Sequence, residues 1–113
     1  MKENNTRKEI AWLGTEIKTP PFSEEARKEA GYLLGAMQEG RIPSLPHARP
    51  MPSIGPRCLE LRVRDENLNW RIICRIDADA IVVAGVFPKK TEQTPKREIE
   101  ACKRRLAYYD SII

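Results

Sequence analysis

The 113 residues carry 20 lysines and arginines against 16 aspartates and glutamates, a net charge of +4, with 41% apolar and 32% charged residues. That length suits one domain over residues 1–113, and that balance suits a globular chain with a small core, which argues against a multi-domain assembly and against disorder. No run approaches the ~18 apolar residues of a membrane span, and the polar start MKENNTRKE lacks the apolar stretch of a secretory signal, so no membrane partner and a cytoplasmic location are expected.

Residues 1–7 read as a frayed polar start. Lys8–Leu13 suits either a short strand, with Ile10 and Trp12 on one face, or a helical turn. Pro20-Pro21 stops any helix, and Ser23 then offers an N-cap followed by Glu24 and Glu25 at the positive end of a helix dipole. Ala26, Ala30, Leu33, Leu34 and Met37 follow the spacing of one helix face, and Gly40 suits a C-terminal stop. A helix over Glu24–Glu39 is predicted.

Residues 41–57 hold five of the nine prolines and read as a partly rigid loop, a length often functional or mobile. His47, the single histidine, reads there as a surface residue.

Arg57–Lys90 predicts three consecutive antiparallel strands around which the chain is organised. Leu59, Leu61 and Val63 alternate with Glu60, Arg62 and Arg64, and Trp70, Ile72, Cys74 and Ile76 alternate with Arg71, Ile73 and Arg75. Asp65–Asn69 and Asp77–Asp79 supply the turns. Ala80–Phe87 is apolar without alternation, as in a strand covered on both faces. If the first two strands share an apolar face, Glu60, Arg62, Arg64, Arg71 and Arg75 gather on the other. Arg71 then stands across from Arg62 or Arg64, and like charges so placed cost up to ~1 kcal/mol. A solvated polar face and an anion site both remain open for that cluster.

Thr94 as N-cap with Pro95 behind it predicts a second helix, its apolar stripe being Ile99, Cys102 and Leu106. Cys58, Cys74 and Cys102 are odd in number and widely spaced, so neither a disulfide framework nor a metal site is expected. Residues 40–75 hold seven basic and three acidic groups, and residues 89–105 again seven and three. Positive charge placed this way favours a polyanion, nucleic acid first.

Several phrases appear in a recognisable order: Ser23–Gly31 (SEEARKEAG), Met51–Gly55 (MPSIG), Leu59–Val63 (LELRV), Trp70-Arg71-Ile72, Phe87–Thr91 (FPKKT) and Thr94–Ile99 (TPKREI). Together they resemble the phage-derived, HigB-like branch of the RelE/ParE toxin superfamily, over roughly residues 8–107. The resemblance implies an α+β fold, a small antiparallel β-sheet with helices packed on one face. It implies a toxin of a type II toxin–antitoxin pair, partnered by a helix-turn-helix antitoxin of the HigA kind. RelE- and HigB-type members are mRNA interferases, endoribonucleases that cut messenger RNA on the ribosome. ParE-type members poison DNA gyrase instead, and a non-toxic RNA-binding domain is a third reading.

Residue by residue, Arg62 and Arg71 match basic positions of the first two strands of that pattern, and Lys89 and Lys90 the basic pair closing the third. Glu60 stands where RelE-like nucleases often carry a lysine and HigB-like members often a glutamate. The tyrosine that RelE-like toxins carry soon after the last strand has no counterpart between Thr91 and Arg105. Cleavage without metal or cofactor activates a 2′-hydroxyl against the adjacent phosphate. Arg62 and Arg71 are the candidates for stabilising the phosphorane, Glu60 for general base, and Lys89 or Lys90 for phosphate binding or proton donation. Arg64, Arg75, Lys96 and Arg97 are candidate RNA-binding residues.

Overall fold

A computed structural model describes residues 7–89 and 93–113. The expected fraying of the first residues thus falls mostly outside the described part, as do Lys90, Thr91 and Glu92. The elements in chain order are β1 (Glu9–Trp12), α1 (Glu24–Gln38), β2 (Ala48–Pro50), β3 (Cys58–Arg64), β4 (Asn69–Ile76), β5 (Ala80–Lys89) and α2 (Lys96–Ile112). The fold class is α+β.

Helix α1 begins where Ser23 caps it, its hydroxyl accepting from the Ala26 N–H. It ends in a Schellman motif: Gly40, at φ 91°, donates to the Met37 carbonyl and Arg41 to that of Ala36. Only glycine adopts that backbone without a steric cost. The stripe Ala26, Ala30, Leu33, Leu34 and Met37 is buried against Leu59, Leu61, Val63, Trp70, Ile72 and Cys74. Each large side chain buried in this way contributes about 1.5–3 kcal/mol. Phe22 stacks on Trp70 at a centroid distance of 4.0 Å. Asp65, in the β3–β4 turn, ties the two ends together by accepting from the Ser23 N–H and the Trp70 indole, both at 2.9 Å.

The five strands run in the order β1-β5-β4-β3-β2. Strands β2 to β5 are antiparallel, but β1 lies parallel to β5, so the sheet is mixed rather than purely antiparallel. Lys8–Leu13, open between strand and turn in the sequence, supplies β1. The Pro-rich loop contains β2, which pairs with β3 through Ala48, Arg49 and Pro50. Pro50 is compatible with a strand here because β2 lies at the sheet edge.

The helices do not share one face. Cys102 and Leu106 of α2 pack on Ile73, Ala80, Val82, Ala84 and Phe87, the side of the sheet opposite α1. The reason is β5, whose unbroken apolar run needs cover on both sides, with Ile81 and Val83 turned to α1 and Val82 and Ala84 to α2. All three cysteines are free and buried; burial pushes Cys74 up to about 12 and Cys102 up to about 11, leaving inert thiols.

Strand β5 carries a bulge. Ile73 pairs with Gly85 and Cys74 with Val83, so Ala84 is the unpaired extra residue. Arg105 of α2 donates to the Ala84 carbonyl at 2.8 Å. A Cβ on Gly85 would lie 2.7 Å from the Cys102 sulfur, so the close approach of α2 requires glycine there. Beyond the bulge the alternation changes parity, which puts Phe87 and Lys89 on the α2 side.

Candidate functional site

The α2 side of β3 and β4 is where the charged alternation of the sequence converges. Glu60 is 0% exposed, and four cations surround its carboxylate. Arg49 lies opposite it on β2, its Nε donating to Oε1 at 3.2 Å. Arg62, two residues along β3, reaches the same oxygen at 3.5 Å. Arg71 pairs across the sheet with Arg62 and brings its Nε to 3.7 Å. The parity change at the bulge delivers Lys89, whose Nζ stands 3.9 Å from Oε2. The Thr94 hydroxyl donates to that second oxygen at 2.5 Å.

Among the described residues charge does not balance here: four cations face one carboxylate. Burial by itself would raise the Glu60 carboxyl. The Thr94 hydrogen bond and the charges of Lys89, Arg49 and Arg71 outweigh it and hold the group below its ordinary range. Glu60 is therefore held in its ionised form, and its carboxylate is closed off from solvent by the groups around it. Burial pushes both Lys89 and Arg71 down; Glu60 opposes this, while the neighbouring arginines add to it. Among the described residues neither Arg71 Nε nor Lys89 Nζ has a hydrogen-bond acceptor, although both are buried. Buried donors left in that state are costly unless something else satisfies them, and an anion is what they suit.

Beside this cluster, past the end of β2, the edge of β3 is uncovered. A cleft of about 340 Å³ opens there, lined by Glu29, Pro46, His47, Arg62, Val63, Arg64, Asn69 and Arg71. Arg62 and Arg71 thus belong to both the buried cluster and the accessible cleft. Lys89, 3% exposed, belongs only to the cluster.

The remaining candidates are placed differently. Arg64 is exposed on the cleft wall. Arg75 sits in a separate clasp, donating to both oxygens of Asp77 and both of Asp110 at 2.6–3.0 Å. It fastens α2 to β4, its guanidinium taken up by the two aspartates. Lys96 and Arg97 are exposed at the start of α2. Lys90 lies outside the described residues.

Two members of the cluster escape the sequence reading. Arg49 was hidden in the Pro-rich loop; the signal was the alternation of buried Ala48 with Arg49 ahead of an edge proline. Thr94 reads as a helix cap in the sequence, but Pro95 takes the cap position and the Thr94 side chain turns to Glu60. A buried carboxylate outcompetes a helix end for that hydroxyl because the charged hydrogen bond is the stronger one.

Among the described residues no group of three or more histidine, cysteine, aspartate and glutamate side chains is placed to hold a metal ion. No described helix is long and apolar enough to cross a membrane. A family model described as Phage derived protein Gp49-like (DUF891) matches residues 20–107. The chain belongs to that family, which is associated with the toxins of toxin–antitoxin pairs. No curated protein and no solved structure matches it.

Proposed function

We propose that this member of the Gp49-like family is the toxin of a type II toxin–antitoxin pair, of the HigB-like branch of the RelE/ParE superfamily, and that it cuts messenger RNA on the ribosome. The observation that carries the proposal is the surplus of positive charge, among the described residues, around the buried Glu60, with two buried cation nitrogens lacking acceptors there beside an accessible cleft. A phosphate entering the cleft meets Arg62 and Arg71, whose planar forks match its oxygens and stay charged.

In the reaction the 2′-oxygen attacks the neighbouring phosphorus and the bond to the 5′-oxygen breaks. Negative charge grows on the phosphorane oxygens, where Arg62 and Arg71 stabilise it. Lys89, Arg49 and Glu60 act behind them. The lysine and Arg49 raise the local potential, and the carboxylate holds the arginines in place. Arg64 extends the basic wall along the strand of RNA. The ribosome supplies alignment of the substrate, which in such reactions is a large share of the rate. The same basic face suits an acidic segment of a helix-turn-helix antitoxin.

Arg71→Ala tests the reading. Cleavage of ribosome-bound messenger RNA should fall about 10²–10³-fold, the loss expected for one donor to a developing oxyanion. The thermal midpoint should move little, because removing Arg71 also relieves its repulsion from Arg62. Wild-type cleavage by the folded variant would sink the nuclease assignment. DNA breaks with intact messenger RNA would instead support a gyrase poison.

A further inference from the structure

Resting on that nuclease reading, we infer that His47 is the group that takes the proton from the attacking 2′-hydroxyl. Arginines cannot do so, since a guanidinium stays protonated and has no acceptor. Glu60 is closed off from the cleft by its 0% exposure and its ring of donors. Lys89 is equally buried. Of the side chains lining the cleft, imidazole is the one whose neutral ring offers a nitrogen acceptor to a hydroxyl and can carry the proton it takes.

The backbone fixes its place. The His47 carbonyl accepts the Arg62 N–H at 2.8 Å, one step beyond the last β2–β3 pair, Ala48 with Leu61. Arg62 in turn pairs with Arg71. His47 itself lies in the turn just before β2, and its side chain lines the same cleft as those of Arg62 and Arg71. The cleft thus offers a proton acceptor and two phosphate-binding forks on its walls. The His47 side chain is 56% exposed and therefore open to substrate, and Glu29 Oε2 of α1 lies 3.8 Å from its Nδ1. That carboxylate is placed to stabilise the imidazolium formed once the ring has taken a proton. The charged groups that share the cleft with His47 are Glu29 from α1, Arg62 and Arg64 from β3, and Arg71 from β4.

The step balances without a co-reactant other than water. The 2′-hydroxyl proton passes to His47 Nε2 as the bond from O2′ to phosphorus forms. The bond from phosphorus to O5′ breaks, and O5′ takes a proton from water. The imidazolium neutralises the hydroxide so formed. The products are a 2′,3′-cyclic phosphate and a 5′-hydroxyl.

The test measures single-turnover cleavage of ribosome-bound messenger RNA by wild type, His47→Gln and His47→Gly. Beside it runs the affinity of each protein for the same message carrying 2′-O-methyl riboses, which binds but cannot be cut. Both variants should lose about 10²–10⁴-fold in rate, the usual share of a general base, with affinity unchanged. Added imidazole should restore part of the rate to His47→Gly. Should the glycine variant fail to fold, the glutamine variant decides on rate and affinity alone. A wild-type rate in His47→Gln overturns the inference while leaving the nuclease reading intact. A loss of affinity in step with the rate also overturns it, making His47 a binding group. Absence of cleavage by the wild type would bring down the nuclease reading, and this inference with it.

Discussion

The α2 side of the sheet carries two charge clusters built from the same residue types, and they differ in one respect. Around Arg75 the account is closed. Arg57 and Arg75 face Asp77 and Asp110, and every one of these side chains is hydrogen-bonded within the group. Around Glu60 four cations share one carboxylate, and two of their nitrogens lack acceptors among the described residues. A balanced cluster fastens two elements and needs nothing more. A cluster in surplus among the described residues is electrostatically unfinished, and on the proposed reading a ligand phosphate supplies the missing charge. Sequence alternation alone assigned Arg71 and Arg75 to one class; their partners separate them.

The sharpest way to break the comparison is to remove the counter-charge. Glu60→Gln leaves four crowded cations with no anion, and losing one member of a buried ion pair costs about 3–5 kcal/mol. The thermal midpoint should fall by more than about 10 °C, and adding Lys89→Met should recover part of it. A midpoint equal to wild type would mean that the surplus is already neutralised and that the two clusters do not differ.

Arg75→Ala makes the opposite cut. It strips the largely buried Asp77 and the exposed Asp110 of their main partner, and with Arg57 still bonded to Asp77 it should cost about 1 kcal/mol, the low end for an acceptor left short. Cleavage per folded molecule should stay at the wild-type rate. An activity loss like that of Arg71→Ala, at unchanged stability, would place Arg75 in the RNA-binding surface after all.

The smallest effect expected is in acid. Hydrogen bonds from Arg75 hold Asp110 down, and for Asp77 those from Arg75 and Arg57 outweigh the upward push of burial. Asp65 is held low by its bonds from Ser23 and Trp70. In each case the folded carboxyl binds a proton less readily than the unfolded chain does. Stability from these groups is therefore complete above the ordinary carboxylate value of about 4 and is lost as pH falls through the folded values. Thermal midpoints across this range should show a shallower acid slope for Arg75→Ala than for wild type. Identical slopes would show that the clasp does not contribute to acid lability.

Much of the fold is legible from local pattern. The period-2 alternation of Leu59–Val63 and Trp70–Ile76, the helical stripe ending at Met37 and the double-sided run of β5 are each written in consecutive residues. The side taken by α2 was implicit in β5, since Val82 and Ala84 need cover that α1 cannot give. Less legible was anything decided by distant partners. Three residues of β2 are too few for a periodic signal, and only their pairing with β3 makes Arg49 part of the cluster. Thr94 follows a local rule for helix caps that a carboxylate 34 positions earlier overrides. The opposed fates of Arg71 and Arg75 rest on Asp110, which no spacing within the strand announces.

The bulge at Ala84 and Gly85 makes the length of β5, as well as its composition, part of the site. A substitution in that strand alters one side chain at a time. Deleting a single residue between the bulge and Lys89 would exchange the faces of those beyond it, turning Lys89 away from Glu60 to the exposed place that Pro88 now holds and bringing Pro88 to that of Phe87. Deleting two together would restore the orientation and shorten the reach. An engineer grafting this site onto another sheet would have to carry over the miscount along with the charges.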